Sequence, residues 1–123
     1  MTTTFIPATQ TPPAPGPRYP TTERQAEIIA LADRLAEIAA ANAPRHDREG
    51  TFPHETFAAM RQTPFFALTV PEEHGGGGAG PLETMLALER LARGDGSVGL
   101  CAAMHLGHVA GIAANDAWPP DLK

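Results

Sequence analysis

Lysine is almost missing from this chain: its single copy is Lys123, the last of 123 residues. Nine Lys and Arg stand against 14 Asp and Glu, for a formal net charge of −5, and no basic run exists. A protein that tracks phosphates needs a clustered basic face, so nucleic-acid binding is excluded. The same lack removes a polybasic membrane anchor. The one cysteine, Cys101, has no partner for an internal disulfide, which excludes a stapled secreted mini-protein. Aromatic residues make only 6% of the chain, so any core is light. No unbroken apolar stretch of about 18 residues occurs, and no membrane insertion is expected. The N-terminus lacks the basic-then-apolar order of a signal peptide, which leaves the cytoplasm as the expected compartment.

Glycine and proline, by contrast, are abundant, at 12 and 13 copies. The length allows one domain and leaves no room for a two-domain enzyme. Six prolines between Pro7 and Pro20 forbid regular helix there. Residues 1–21 therefore read as a disordered Pro/Thr-rich leader.

The next segments read as helices. Thr22-Glu23-Arg24-Gln25 fits a capping box. Ile28, Leu31, Leu35 and Ile38 then recur at helical spacing beside Ala32 and Ala39, with Asp33, Arg34 and Glu37 opposite. Pro44 is expected to end this helix, leaving residues 45–51 as a charged connector. Pro53 suits the first turn of a short second helix with Phe57 and Met60 on its buried side, stopped at Thr63-Pro64. Residues 65–70 read as an extended connector or short strand. After the glycine turn of residues 75–80, Pro81 opens a third helix with Met85, Leu88, Leu91 and Ala92 as its stripe and Gly94 as C-cap. Asp95 or Ser97 can cap a fourth helix over about residues 98–114.

The fourth helix differs in kind. Leu100, Met104, Leu106, Val109 and Ile112 point in several directions, so it is apolar nearly all round. Such a helix belongs inside a larger structure, and three short helices are too few to cover it.

His74-Gly75-Gly76-Gly77 resembles in letters an esterase oxyanion loop, but the G-x-S-x-G elbow is absent. No lysine follows the glycines, so they are not a P-loop. Nor do they open a βαβ dinucleotide-binding unit. Glu72 and Glu73 are adjacent and do not face each other, which suits a solvated turn rather than acid–base work. Cys101, His105 and His108, at spacings of four and three, share one helix face and are candidate zinc ligands. The competing reading is a buried helix whose histidines bond to neighbours.

The run Phe52-Pro53-His54-Glu55, the run Phe65 to Gly78 with its core Val70-Pro71-Glu72-Glu73-His74-Gly75-Gly76, and the run Leu88 to Ser97 resemble, in order and spacing, the N-terminal helical domain of flavin-dependent acyl-CoA dehydrogenases. The resemblance covers residues 22–114. One departure is Thr63-Pro64, where the family continues helix and ends with glycine. The resemblance implies an all-α fold: the N-terminal helical domain of the family, about four helices after the leader, with residues 115–123 leading toward domains that this chain lacks. It implies that the fourth helix is a wall of the acyl pocket, with Gly99, Ala103 and Gly107 as substrate-binding positions and His105 as a candidate near the flavin. It implies FAD as cofactor of the full-length family, with weak or no binding by this chain alone. It further implies an acyl-CoA substrate and a homo-oligomer at full length. In the family an acidic residue of the C-terminal domain removes the α-proton while the flavin accepts the β-hydride. That residue has no counterpart here, so no residue of this chain is assigned as catalytic. The chain reads as a truncated member, inactive alone. The alternatives are a stand-alone binding module, metal-linked through Cys101, His105 and His108, a remnant that associates with a complete homologue, and a flavin monooxygenase-type member of the same superfamily.

Overall fold

The computed structural model describes residues 16 and 18–119. The expected leader therefore lies outside the described residues at 1–15 and 17, as does the end of the expected linker at 120–123. The described residues are all-α, as expected: α1 (Glu23–Glu49), α2 (His54–Arg61), α3 (Pro81–Gly94) and α4 (Gly96–Ala114), with two short 3₁₀ turns at Pro64–Ala67 and Glu72–His74.

α1 starts where the cap signal places it. The Thr22 hydroxyl accepts from the Gln25 N–H at 3.2 Å. The returning arm goes one residue further than in a standard box, because Gln25 Oε1 accepts from the Thr21 N–H at 2.8 Å. The helix does not stop at Pro44. It runs through it to Glu49 and closes on Gly50, whose positive φ of 62° completes a left-handed cap. Proline removes one hydrogen bond from the ladder, and a side-chain clip at the α1–α2 corner holds the last turn instead. The buried face is Ile28, Ile29, Ala32, Leu35 and Ala39. Ile38, expected in the stripe, lies at the exposed edge.

α3 packs against α1, α4 against α3, and α2 against α1. The core joins Ile28, Ala32 and Leu35 to Met60, Phe65, Leu68, Ala87, Leu91, Val98, Ala102 and Leu106. Gly94 is not the cap of α3; Asp95, in extended conformation, takes that place. Close approach explains the glycine, since a Cβ there would lie 2.2 Å from the Ala36 carbonyl oxygen. The same Asp95 caps α4, accepting from Ser97 N–H at 2.8 Å and Val98 N–H at 3.3 Å.

Residues 65–70 form a 3₁₀ turn followed by bends, not an extended segment. Thr63 caps it through Oγ1 to the Phe65 N–H, and the Leu68 and Val70 amides bond three residues back. Local bonds satisfy this backbone, and among the described residues there is no strand for it to pair with.

Candidate functional site

The site is built on α4 because one of its faces is unused. The row Val98, Ala102 and Leu106 packs inward with no exposure, and Gly99 belongs to that side. A Cβ on Gly99 would meet the Ala92 Cβ at 2.6 Å, so glycine lets α3 and α4 approach. The opposite face carries Leu100 at 66% exposure and Met104 at 56%, with Ile112 at its edge. Trp118 extends the apolar surface, lining a groove with Met104 and Ile112. By length and composition alone α4 is apolar enough to cross a membrane.

Two grooves flank this exposed face. One, of about 490 Å³, is lined by Ala103, Met104, Gly107, His108, Gly111, Ile112, Asn115 and Trp118. Gly107 and Gly111 form its floor, and a Cβ at either would meet nothing within 4 Å. The other, of about 470 Å³, lies between the C-terminal half of α4 (Ala110, Ala113, Ala114) and the glycine turn (Pro71, Glu72, Gly78, Ala79). Thr69 anchors the two walls to each other, its hydroxyl donating to the Leu106 carbonyl at 3.0 Å.

Three of the four residues singled out from sequence thus divide by face. Ala103 and Gly107 line the first groove, whereas Gly99 faces Ala92 inside the domain. His105 lies outside both grooves. Its Nε2 donates to the Phe66 carbonyl at 3.0 Å, and its ring meets the Phe66 ring edge-on at 5.0 Å. Tied down in this way, the imidazole offers only Nδ1 to a ligand. The residues described here do not by themselves build a flavin site: the grooves are open, and no cradle of amides surrounds His105.

The metal-linked alternative finds no support in the geometry. His108 Nδ1 is bonded to the Met104 carbonyl of its own helix, and His105 is held by Phe66. Among the described residues no three His, Cys, Asp or Glu side chains come together to hold a metal ion. Glu72 faces Arg24 at 3.5 Å, which makes it a member of an ion-pair cluster.

One polar cluster carries no signal in the sequence pattern. At the α1–α2 corner the buried His46 bridges Thr51 Oγ1 (2.8 Å) and Glu55 Oε2 (2.9 Å), and Arg45 pairs with the other Glu55 oxygen. A carboxylate only accepts, so in the bond to Glu55 the His46 Nε2 donates. The backbone N–H of Glu55, the His46 hydrogen bond and the Arg45 charge hold the Glu55 carboxyl at a pKa of about 2. The cluster clips the corner and lies away from the exposed face of α4. A helix assumed to end at Pro44 hides it, because only continuous helix brings His46 opposite Glu55.

Comparison with known proteins fits this geometry. Residues 22–115 match the family described as acyl-CoA dehydrogenase, N-terminal domain. A putative acyl-CoA dehydrogenase, YdbM, of Bacillus subtilis is 32% identical over 100 residues, covering 81% of this chain and 26% of that protein. A probable acyl-CoA dehydrogenase, fadE25, of Mycobacterium leprae is 40% identical over 83 residues, covering 68% of this chain and 21% of that protein. An amino sugar nitrososynthase, RubN8, of Streptomyces rubradiris is 34% identical over 102 residues, covering 79% and 24%. The chain spans about a quarter of the length of these relatives. No solved structure matches it. The chain belongs to the acyl-CoA dehydrogenase family, as its N-terminal domain.

Proposed function

We propose that this domain supplies one wall of the acyl pocket in an FAD-dependent oxidoreductase acting on acyl-CoA thioesters. The observation that carries the reading is the exposed face of α4. It is apolar, built on small residues at Ala103, Gly107 and Gly111, and bordered by grooves on both sides. A soluble domain that leaves Leu100 and Met104 bare has a surface meant to be covered. The family match supports the remainder of the family fold and the acyl group as what covers it. Ala103 and Gly107 set the space left for the acyl chain, and small residues there favour a bulky or branched group. Gly99 acts one step removed, by letting α3 approach α4.

When bound in the full-length family, FAD accepts the hydride taken from the substrate. This chain's own contribution is to bind and orient the acyl group and to exclude water from it. The proton-abstracting base is assigned to the C-terminal part of the family fold. The chain alone is therefore expected to be inactive. The nitrososynthase relative shows that a similar domain also serves another kind of transformation. A monooxygenase-type member is therefore the second reading.

The test is a hybrid in which residues 22–115 replace the matching part of the Bacillus subtilis relative. The expected result is FAD-dependent oxidation of acyl-CoA, with Gly107→Leu and Ala103→Leu shifting preference toward shorter, unbranched acyl groups by about tenfold in kcat/KM. An active, FAD-loaded hybrid whose acyl preference ignores both substitutions would refute the wall assignment.

A further inference from the structure

The glycine turn at residues 72–80 has open space on both sides. On one side is the groove against α4, and on the other a cavity of about 320 Å³ against α1 that reaches Leu31 and Leu68. The turn is hung from the preceding segment by three backbone bonds: Gly77 N–H to Ala67, Gly78 N–H to Val70 and Ala79 N–H to Leu68, at 2.8–2.9 Å. On the α1 side one side chain reaches it. Arg24, in the first turn of α1, donates to the Gly77 carbonyl, pairs with Glu72 at 3.5 Å and bonds Glu83 Oε1 at 2.9 Å. Glu83 in turn accepts from the Gly80 N–H through Oε2 at 3.3 Å. A single guanidinium thus joins the start of α1, the turn and the start of α3, using the planar fork that lysine lacks.

We infer that Arg24 is a strap that fixes the glycine turn and so sets the width of the groove between the turn and α4. It is an electrostatic strap on a half-exposed cation, so it loosens with salt. The inference is independent of the acyl-pocket reading, because it concerns the domain itself and is read without substrate.

The test is amide hydrogen exchange of the intact chain, native and Arg24→Gln, at low and high salt. The expected result is a rise in exchange at Gly76–Ala79 of about 2- to 5-fold in the variant, the scale of an exposed ion pair. Raising salt brings the native chain toward the variant and leaves the variant unchanged. The interior of α3 and α4 exchanges as before. Glu83→Gln removes the charge from one of the three acceptors and is expected to give a smaller rise. Unchanged exchange in Arg24→Gln, or a rise spread equally over all helices, would overturn the strap. A rise in Glu83→Gln as large as in Arg24→Gln would also overturn it, by moving the tether to the Glu83–Gly80 cap.

Discussion

α1 and α4 are the two long helices of one packed unit, yet they meet solvent in opposite ways. α1 turns Ile28, Ala32, Leu35 and Ala39 inward and gives water Arg24, Glu27, Arg34 and Glu37. α4 turns Val98, Ala102 and Leu106 inward, carries no Asp, Glu, Lys or Arg, and gives water Leu100, Met104 and Ile112. α1 is completed by this chain, whereas α4 is completed on one side only. A contiguous apolar face left bare on a folded domain is the mark of a contact surface.

That contrast can be broken from either side of α4. On the inward side, Leu106→Ala empties a fully buried position and is expected to cost about 2–5 kcal/mol in urea unfolding, whereas Leu100→Ala on the outward side should cost under about 0.5 kcal/mol. Equal costs would mean that the two faces are not distinct. Gly99→Ala forces α3 and α4 apart at Ala92 and is expected to lose about 1–3 kcal/mol. Gly107→Ala, eight residues on in the same helix and open to solvent, should instead gain about 0.5–1 kcal/mol from helix propensity. A loss at Gly107 would show a neighbour pressed against that face.

A smaller effect separates the α1–α2 corner from α4. The carboxyl of Glu55 is held at about 2, below its unfolded value, so its stabilisation is present above about pH 4.5 and is lost as pH falls toward 2. Glu55→Gln is expected to flatten the dependence of Tm on pH between about 4.5 and 2 relative to the native chain, while leaving hydrogen exchange in α4 unchanged. An acid limb of the same steepness in the variant would remove Glu55 from the corner clip.

Much of the fold was legible because its signals are local. Thr22, Pro81 and Asp95 start helices by rules that need only neighbouring residues, and the all-round apolarity of α4 marks an incomplete environment without any structure. The failures occur where tertiary contact overrides a local preference. Pro44 reads as a stop, but the His46–Glu55–Arg45 clip carries α1 beyond it. Gly94 reads as a cap, but it is small to admit Ala36. Residues 65–70 read as extended, but Thr63 and Pro64 wind them into a 3₁₀ turn. The same limit divides the site residues: the family resemblance groups Gly99 with Ala103 and Gly107, and only the position of Ala92 turns Gly99 inward. The Arg24 strap is invisible in sequence because its partners lie 48 to 59 residues away.

The most direct measurement is the thiol-labelling rate of Cys101, which is exposed beside Leu100 on α4. It is compared in the chain alone and in the hybrid carrying the rest of the Bacillus subtilis relative. If the outward face is a wall completed by the remaining family fold, labelling is fast in the isolated chain and at least about tenfold slower in the FAD-loaded hybrid. Equal labelling in both, with the hybrid folded and active, would contradict that assignment.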